Sequence, residues 1–543
     1  MKTIVFFLTP TFIVVLAIFL YVNNTNTDND LDSKNTLRDK DPDTEISSED
    51  VREIMSEYWK DHAQKSSSIQ TMMLDSNAEE LSKDEKPEIL SYLPDISGKT
   101  VIELGAGIGR FTTILAEKAK HVIAVDFMAE FIEKNKIANA HLKNIDYMVE
   151  DVTKMEQPEA QSDLVFSNWL FMYLEDAEVQ KVFYKMLGWL KEGGYLFIRE
   201  SCNRPSGNIP RKSNPTNYRD TDMYEAFYSS VSIPCDENHS YGFDLVLSKA
   251  VDAYIKHKSN KDQMVWLLQK VKRSNTSNFG YKNFQDFLDN QQYSKNGILR
   301  YEKVFGRTYV STGGYETTKE FVDMLNLQAG QQVLDVGAGI GGSAFYMAKN
   351  FNVRVIANDL SSNMVSIGLD RAQEEGITPD QVVFEIADAT KRDYAAESFD
   401  VIYSRDTILH INDKLSLFKR FFKWLKPGGK VLITDYCCKA GEHSDAFKLY
   451  VKQRGYNLLS PQQYGEVLKE AGLVNVRAED KSELFTQVLE GELQKTEKMR
   501  EEFIKEFSEE DYDYIVNGWK DKLVRVRQGD QRWGLFYAEK PAL

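Results

Sequence analysis

Short apolar runs alternate with amphipathic stretches along most of this chain. In its first half the runs end at Leu104, Val125, Met148, Phe166 and Ile198, and two more, Leu245 to Tyr254 and Met264 to Val271, supply the last strands. That alternation predicts an α/β fold, a largely parallel sheet flanked by helices. Two stretches at the start break the pattern. Ile4 to Val22 is almost wholly apolar, interrupted only by Thr9, Pro10 and Thr11. As a helix it would reach about 28 Å, close to one bilayer core. Asn23 to Asp50 is rich in Asp, Asn, Thr and Ser, the composition of a disordered tether. Globular sequence begins near Val51.

The pattern then repeats. V-I-E-L-G-A-G-I-G at Val101 to Gly109 returns as V-L-D-V-G-A-G-I-G at Val333 to Gly341, 232 residues later. V-I-A-V-D ending at Asp126 answers V-I-A-N-D ending at Asp359, and Asp151 answers Asp388. S-D-L-V-F-S-N from Ser162 answers S-F-D-V-I-Y-S-R from Ser398, and W-L-K-E-G-G at Trp189 answers W-L-K-P-G-G at Trp424. So many matches in one order mean two copies of one fold. The expected organisation is therefore a hydrophobic helix (1–22), a tether (23–50) and two tandem Rossmann-like domains (51–272 and 273–543).

A length of 543 residues agrees with more than one core. The net charge of −16 argues against a nucleic-acid partner, because phosphate backbones are held by clustered Lys and Arg. The four cysteines (Cys202, Cys235, Cys437 and Cys438) have no zinc-site spacing, so no metal is implied, and they fit a reducing compartment. Small residues for a cleavage site are missing after Leu20, so Ile4 to Val22 is expected to stay as a membrane anchor rather than leave as a signal peptide. The Lys and Arg distribution leans toward catalytic domains in the cytosol, with the secretory-pathway lumen as the alternative.

A glycine-rich turn between strand and helix lets backbone N–H groups approach a ligand closely. Gly337, Gly339 and Gly342 would satisfy a dinucleotide fingerprint, but the first copy has Arg110 where its last glycine would fall. An acid also precedes each turn by two residues, Glu103 and Asp335. Such an acid suits the amino group of a methionine moiety and would repel a pyrophosphate. Together these point to S-adenosyl-L-methionine as cofactor. Gly105, Gly107, Gly109, Gly337 and Gly339 would line it, Asp126 and Asp359 would take its ribose hydroxyls, and Asp151 and Asp388 its adenine. The reaction type is then methyl transfer.

Other strings are more specific: M-M-L-D-S at Met72, R-K-S-N-P-T-N-Y-R at Arg211 and F-L-D-N-Q-Q-Y at Phe287. G-I-L-R-Y-E-K-V-F-G at Gly297, Y-S-R-D-T-I-L-H-I at Tyr403 and V-K-Q-R-G-Y at Val451 complete them. In these the chain resembles the two-domain, plant-type phosphoethanolamine N-methyltransferases, from about Tyr58 to the C-terminus. The resemblance implies three methylations of phosphoethanolamine to phosphocholine, the first by domain 1 and the others by domain 2. It implies Asp406 and His410 as a catalytic pair, with Tyr293 and Tyr301 closing over the substrate. It implies Tyr436, Arg454, Tyr456 and Lys522 as the phosphate-binding group, and Arg405 falls beside the cofactor.

Asp406 and His410 stand four apart, one face of a helical turn if the stretch is helical. An aspartate that holds an imidazole makes it a better proton acceptor. The first copy has Asn168, Trp169 and Tyr173 where the second has Arg405, Asp406 and His410. It must activate the amine otherwise, with Tyr58 and Tyr173 as candidates and the Arg211 to Arg219 string for the phosphate. Two alternatives stand beside this reading: another small amine as substrate, or one copy inert and regulatory.

Overall fold

The structure, a computed structural model, describes residues 54, 57–60, 68–209, 216–274 and 283–542. Ile4 to Val22 and the tether lie outside the described residues, and no helix among those described is long and apolar enough to cross a membrane. Trp59–Ile209 and Thr216–Leu543 form one compact unit. Outside that unit Ile54, Glu57 and Tyr58 alone are described, all three with helical backbone.

The first copy contains β1 (Thr100–Leu104), β2 (His121–Asp126), β3 (Ile145–Val149), β4 (Ser162–Asn168), β5 (Leu190–Ser201), β6 (Ile233–Asp236), β7 (His239–Ala250) and β8 (Gln263–Ser274). The second contains β9 (Gln332–Val336), β10 (Arg354–Asp359), β11 (Val382–Ala387), β12 (Phe399–Arg405), β13 (Leu425–Cys438), β14 (Val474–Asp480) and β15 (Gln531–Glu539). Five strands of each copy run parallel, in the order β3-β2-β1-β4-β5 and β11-β10-β9-β12-β13. An antiparallel strand, β8 or β15, then turns the sheet back toward β7 or β14. In the central strands the apolar runs become buried, as two-sided burial of a parallel sheet requires, while β3 at the sheet's edge stays part-exposed. The run expected from Leu245 to Tyr254 divides differently: β7 stops at Ala250, and Asp252–Lys258 is a helix.

The copies are joined edge to edge. Ile386 and Ala387 of β11 pair antiparallel with Ser248 and Leu247 of β7, making one continuous sheet. A buried ionic cluster straddles this join. Glu385 accepts from Tyr394 Oη at 2.8 Å and faces Lys249 Nζ at 3.6 Å and Arg392 Nε at 3.7 Å. All three charged residues are buried, where each needs the others. β8 runs to Ser274, two residues past the expected boundary, and the next described helix is Phe284–Phe287.

The copies differ most between their last two strands. The first has only the Asp252–Lys258 helix there, whereas the second inserts three helices, Ser482–Lys498, Arg500–Glu506 and Glu509–Arg527.

Candidate functional site

Each glycine turn follows its strand with three left-handed glycines, at φ 73°, 53° and 93° for Gly105, Gly107 and Gly109 and 73°, 56° and 94° for Gly337, Gly339 and Gly341. These angles favour residues without a Cβ. Asp359 braces the second turn, its Oδ2 accepting from Gly339 N at 2.9 Å and its Oδ1 from Ser361 N at 2.9 Å. Asp126 does the same through Gly107 N and Met128 N, both at 2.9 Å. Burial pushes both carboxyls up to about 6. The preceding acids are displaced further: burial, then the neighbouring aspartate, raises Glu103 and Asp335 to about 8. Glu103 accepts from Thr112 Oγ1 at 2.6 Å, while Asp335 Oδ2 is buried without a partner.

A cavity of about 480 Å³ opens over the second turn. Asp335, Gly337, Gly339, Asp359 and Asp388 line it, the strand-end residues expected to hold the cofactor. Tyr293, Arg405, Asp406 and His410 line it too, so cofactor and catalytic candidates share one space. The orphaned carboxylate oxygen of Asp335 and the acid-braced turn fit S-adenosylmethionine, whose ammonium and hydroxyls would supply the missing donors. Asp388 Oδ1 accepts from Thr390 N at 2.9 Å and Oγ1 at 2.6 Å. Asp151 is braced likewise by Thr153. Among the described residues no group of three His, Cys, Asp or Glu side chains is placed to hold a metal ion.

Asp406 and His410 do not form a bonded pair on a helix face. Asp406 sits in a left-handed turn (φ 51°) directly after β12, and His410 ends a 3-10 turn, Ile408–His410. The Asp406 carboxylate accepts from Trp533 Nε1 at 2.8 Å, Thr434 Oγ1 at 3.2 Å and Thr312 N at 3.2 Å. His410 Nε2 lies 3.3 Å from Tyr293 Oη, and its Nδ1 is buried without a partner. Burial, reinforced by Lys414 and Arg454, pulls its pKa down to about 3, so the imidazole is neutral at pH 7. The sequence spacing was compatible with a helix, but the strand end forces a sharp turn between the two residues.

The phosphate candidates gather around aromatic rings. Lys522 Nζ lies 3.3 Å from Tyr436 Oη, whose oxygen is 3.1 Å from Thr312 Oγ1. Burial pulls the Lys522 ammonium down to about 8, opposed by Glu492. The Arg454 guanidinium lies close enough to Tyr301 to act on it electrostatically, and Tyr456 packs its ring edge-on to His410 with centroids 5.2 Å apart. Arg405, placed with the cofactor on sequence grounds, directs its guanidinium at protein atoms instead. It donates to Thr312 O at 2.6 Å, Thr434 Oγ1 at 2.8 Å, Thr317 Oγ1 at 3.0 Å and Thr318 Oγ1 at 3.1 Å.

The first copy keeps the backbone and changes the chemistry. Trp169 occupies the position of Asp406 with the same left-handed turn (φ 57°), and a 3-10 turn, Phe171–Tyr173, again comes next. Trp169 Nε1 donates to Gln263 at 3.0 Å, and the Arg199 guanidinium lies 3.6 Å from its ring. Arg199 and Arg110 share the buried Glu85. Tyr173 packs on Trp59 with ring centroids 5.6 Å apart. Within the Arg211 string, residues to Pro215 lie outside the described set. Arg219 is buried and bonded to Asp176 Oδ1, Phe171 O and Leu174 O, so each guanidinium nitrogen is engaged in bracing the turn under Tyr173 rather than offered to a phosphate.

Family models described as methyltransferase domains match residues 101–194 and 327–503. The chain is 53% identical to phosphoethanolamine N-methyltransferase 3 of Arabidopsis thaliana over 90% of its own length and 98% of that protein's. It is also 53% identical to phosphoethanolamine N-methyltransferase 1 of Triticum aestivum, over 90% and 97%. The chain belongs to the phosphoethanolamine N-methyltransferases. A solved member, phosphoethanolamine N-methyltransferase 2 of Haemonchus contortus in complex with phosphomonomethylethanolamine and S-adenosylhomocysteine, superposes with a TM-score of 0.67 at 27% identity, covering 85% of this chain and 99% of that one.

In this phosphoethanolamine N-methyltransferase several site residues escaped the sequence reading. Trp533 comes from β15 and Glu492 and Trp519 from the inserted helices, all more than 80 residues from Asp406 in sequence. Glu492 accepts from Gly313 N at 2.8 Å and Trp519 Nε1 at 2.9 Å, pinning the segment that carries Thr312. Arg525 stacks 3.8 Å from the Tyr450 ring beside Arg454. No motif announces them; the single signal was a polar residue, Glu492 or Lys522, inside an otherwise amphipathic helix.

Proposed function

We propose that the two copies divide the methylation of phosphoethanolamine by S-adenosylmethionine. The first copy adds the first methyl group, and the second carries the monomethyl and dimethyl forms on to phosphocholine. S-adenosylmethionine supplies an electrophilic methyl on its sulfonium. The enzyme's own residues must bind the phosphobase, free its lone pair and tolerate the positive charge that grows on nitrogen.

An amine of this kind has a pKa of about 10, so freeing its lone pair at pH 7 costs about 4 kcal/mol. His410 is the acceptor of that proton, at the Nδ1 that has no other partner. A dianionic phosphate beside Arg454 would screen one of the cations that depress the imidazole, making it a stronger base once substrate is bound. Asp406, fixed by Trp533 and Thr434, complements the cationic nitrogen rather than orienting the histidine. Tyr293 and Tyr301 present ring faces and hydroxyls to the same cation. Arg454 and Lys522, with Tyr436 and Tyr456, take the phosphate. Arg405 acts indirectly, holding the Thr312 segment against Asp406.

The observation that carries this reading is the neutral imidazole of His410, its Nδ1 without a partner, in the same cavity as the acid-braced glycine turn. The relative solved with the monomethyl compound supports it. With Trp169 and Tyr173 in place of the acid and histidine, the first copy must use other groups. The test is product analysis by mass spectrometry with purified His410→Ala. It is expected to convert phosphoethanolamine to the monomethyl product and stall, with later steps slowed at least about 100-fold. Normal phosphocholine formation by that variant would sink the proposed division.

A further inference from the structure

Strand β7 belongs to the first copy, yet it touches the cofactor end of the second. Where β11 pairs with β7, the Val246 carbonyl accepts from Asp388 N at 3.3 Å. One turn on, Lys391 Nζ reaches back to Asp244 Oδ2 at 2.6 Å and lies 3.4 Å from Asp388 Oδ2. Asp244 is itself held by Arg273 of β8, Nη2 to Oδ1 at 2.5 Å. A chain of alternating charge, Arg273–Asp244–Lys391–Asp388, thus runs from the first copy into the cavity of the second. Burial works against the Lys391 ammonium, but Asp244 and Asp388 outweigh it and keep its pKa raised.

The sheet differs at the matching place in the first copy. Its equivalent strand, β3, ends the sheet, with no strand beside it among the described residues. Asp388 is thus held by Thr390 on one oxygen and, on the other, by a lysine that a strand of the first copy anchors. We infer that Asp244 is a positioning residue for the second copy's cofactor site: through Lys391 it fixes the Asp388 carboxylate that receives the adenine. The inference rests on the reading of Asp388 as adenine acceptor. It makes the second copy's hold on S-adenosylmethionine depend on a strand of the first.

The test uses the full chain in an Asp126→Ala background, which weakens the first copy's own cofactor site, and titrates S-adenosylhomocysteine by calorimetry. Asp244→Asn is expected to weaken the remaining site about tenfold, as loss of one charge-assisted contact would. Asp244→Glu should restore it, and Lys391→Met should reproduce the loss from the second copy's side. In turnover without the Asp126 change, on phosphomonomethylethanolamine, Asp244→Asn should raise KM for S-adenosylmethionine while kcat stays within about twofold, a split that general loosening would not give. If Asp388→Asn weakens binding but Asp244→Asn and Lys391→Met do not, the positioning role is overturned. If Asp388→Asn itself leaves binding unchanged, the adenine reading falls, and the inference with it.

Discussion

Lys522 shows how one side chain's surroundings decide its work. It is enclosed by Tyr436, 5.3 Å from its ring centroid, and Trp519, 4.6 Å away, and burial brings its pKa to about 8. In the proposed role a phosphate dianion binds the charged form, and the free enzyme then loses affinity once pH passes that value. KM of the second copy for its phosphobase is expected to rise above pH 8, approaching about tenfold per pH unit, and Lys522→Met should show a higher KM that is flat over the same range. A KM unaffected by pH between 8 and 9 in the unsubstituted enzyme would remove Lys522 from the phosphate site. In the sequence, strings singled out His410 and Arg454 as candidates and the resemblance added Lys522. Their partners were not legible there. The acid at 406 and the histidine at 410 suggest a pair on paper, whereas a left-handed residue at the strand end sends one toward Trp533 and the other toward Tyr293.

At the scale of the element, the repeated unit is strand, glycine turn, second strand and acid. Its periodicity was plain in the sequence because apolar runs and turn glycines are local signals; β1 ends at Leu104 as expected, and β2 and β3 end one residue beyond their expected apolar ends. Two acids at neighbouring strand ends share one buried space, which keeps Asp335 protonated below about pH 8 in the free enzyme. An ammonium partner favours the ionised form, so cofactor binding at pH 7 should release a proton, and at pH 9 it should not. Calorimetric titration of S-adenosylhomocysteine in buffers of different ionisation enthalpy measures this directly. No release at pH 7 would mean that Asp335 does not meet the amino group. The inserted helices before β15 explain why only the second copy has a lysine over Tyr436: the first copy has one short helix in that place.

At the scale of the whole molecule, the join between copies is built from groups some 140 residues apart, and nothing in the sequence announced it. Pairing of two strand edges depends on which edges are left free, a property of the folded copies rather than of any local pattern. Glu385 at this join neutralises both Lys249 and Arg392 inside the protein. Glu385→Gln is expected to destabilise the chain by about 3 kcal/mol, because it takes the carboxylate from buried Arg392 and leaves Lys249 to its ion pair with Asp252. Urea denaturation would read this as a lower midpoint, and an unchanged midpoint would show the cluster to be water-screened. The join also has a symmetry. It brings together unlike edges, β7 of one copy and β11 of the next, so the relation between copies is head-to-tail and leaves one edge of each kind, β3 and β14, at the ends of the sheet. A two-fold relation would have closed on itself; this one could in principle propagate. β14 is suited to stop it, since its register slips between Val474 and Arg477 and it carries Arg477, Glu479 and Asp480 along an exposed edge. Among the described residues the duplication is therefore an open array, its β14 edge guarded by charge and irregularity rather than by closure.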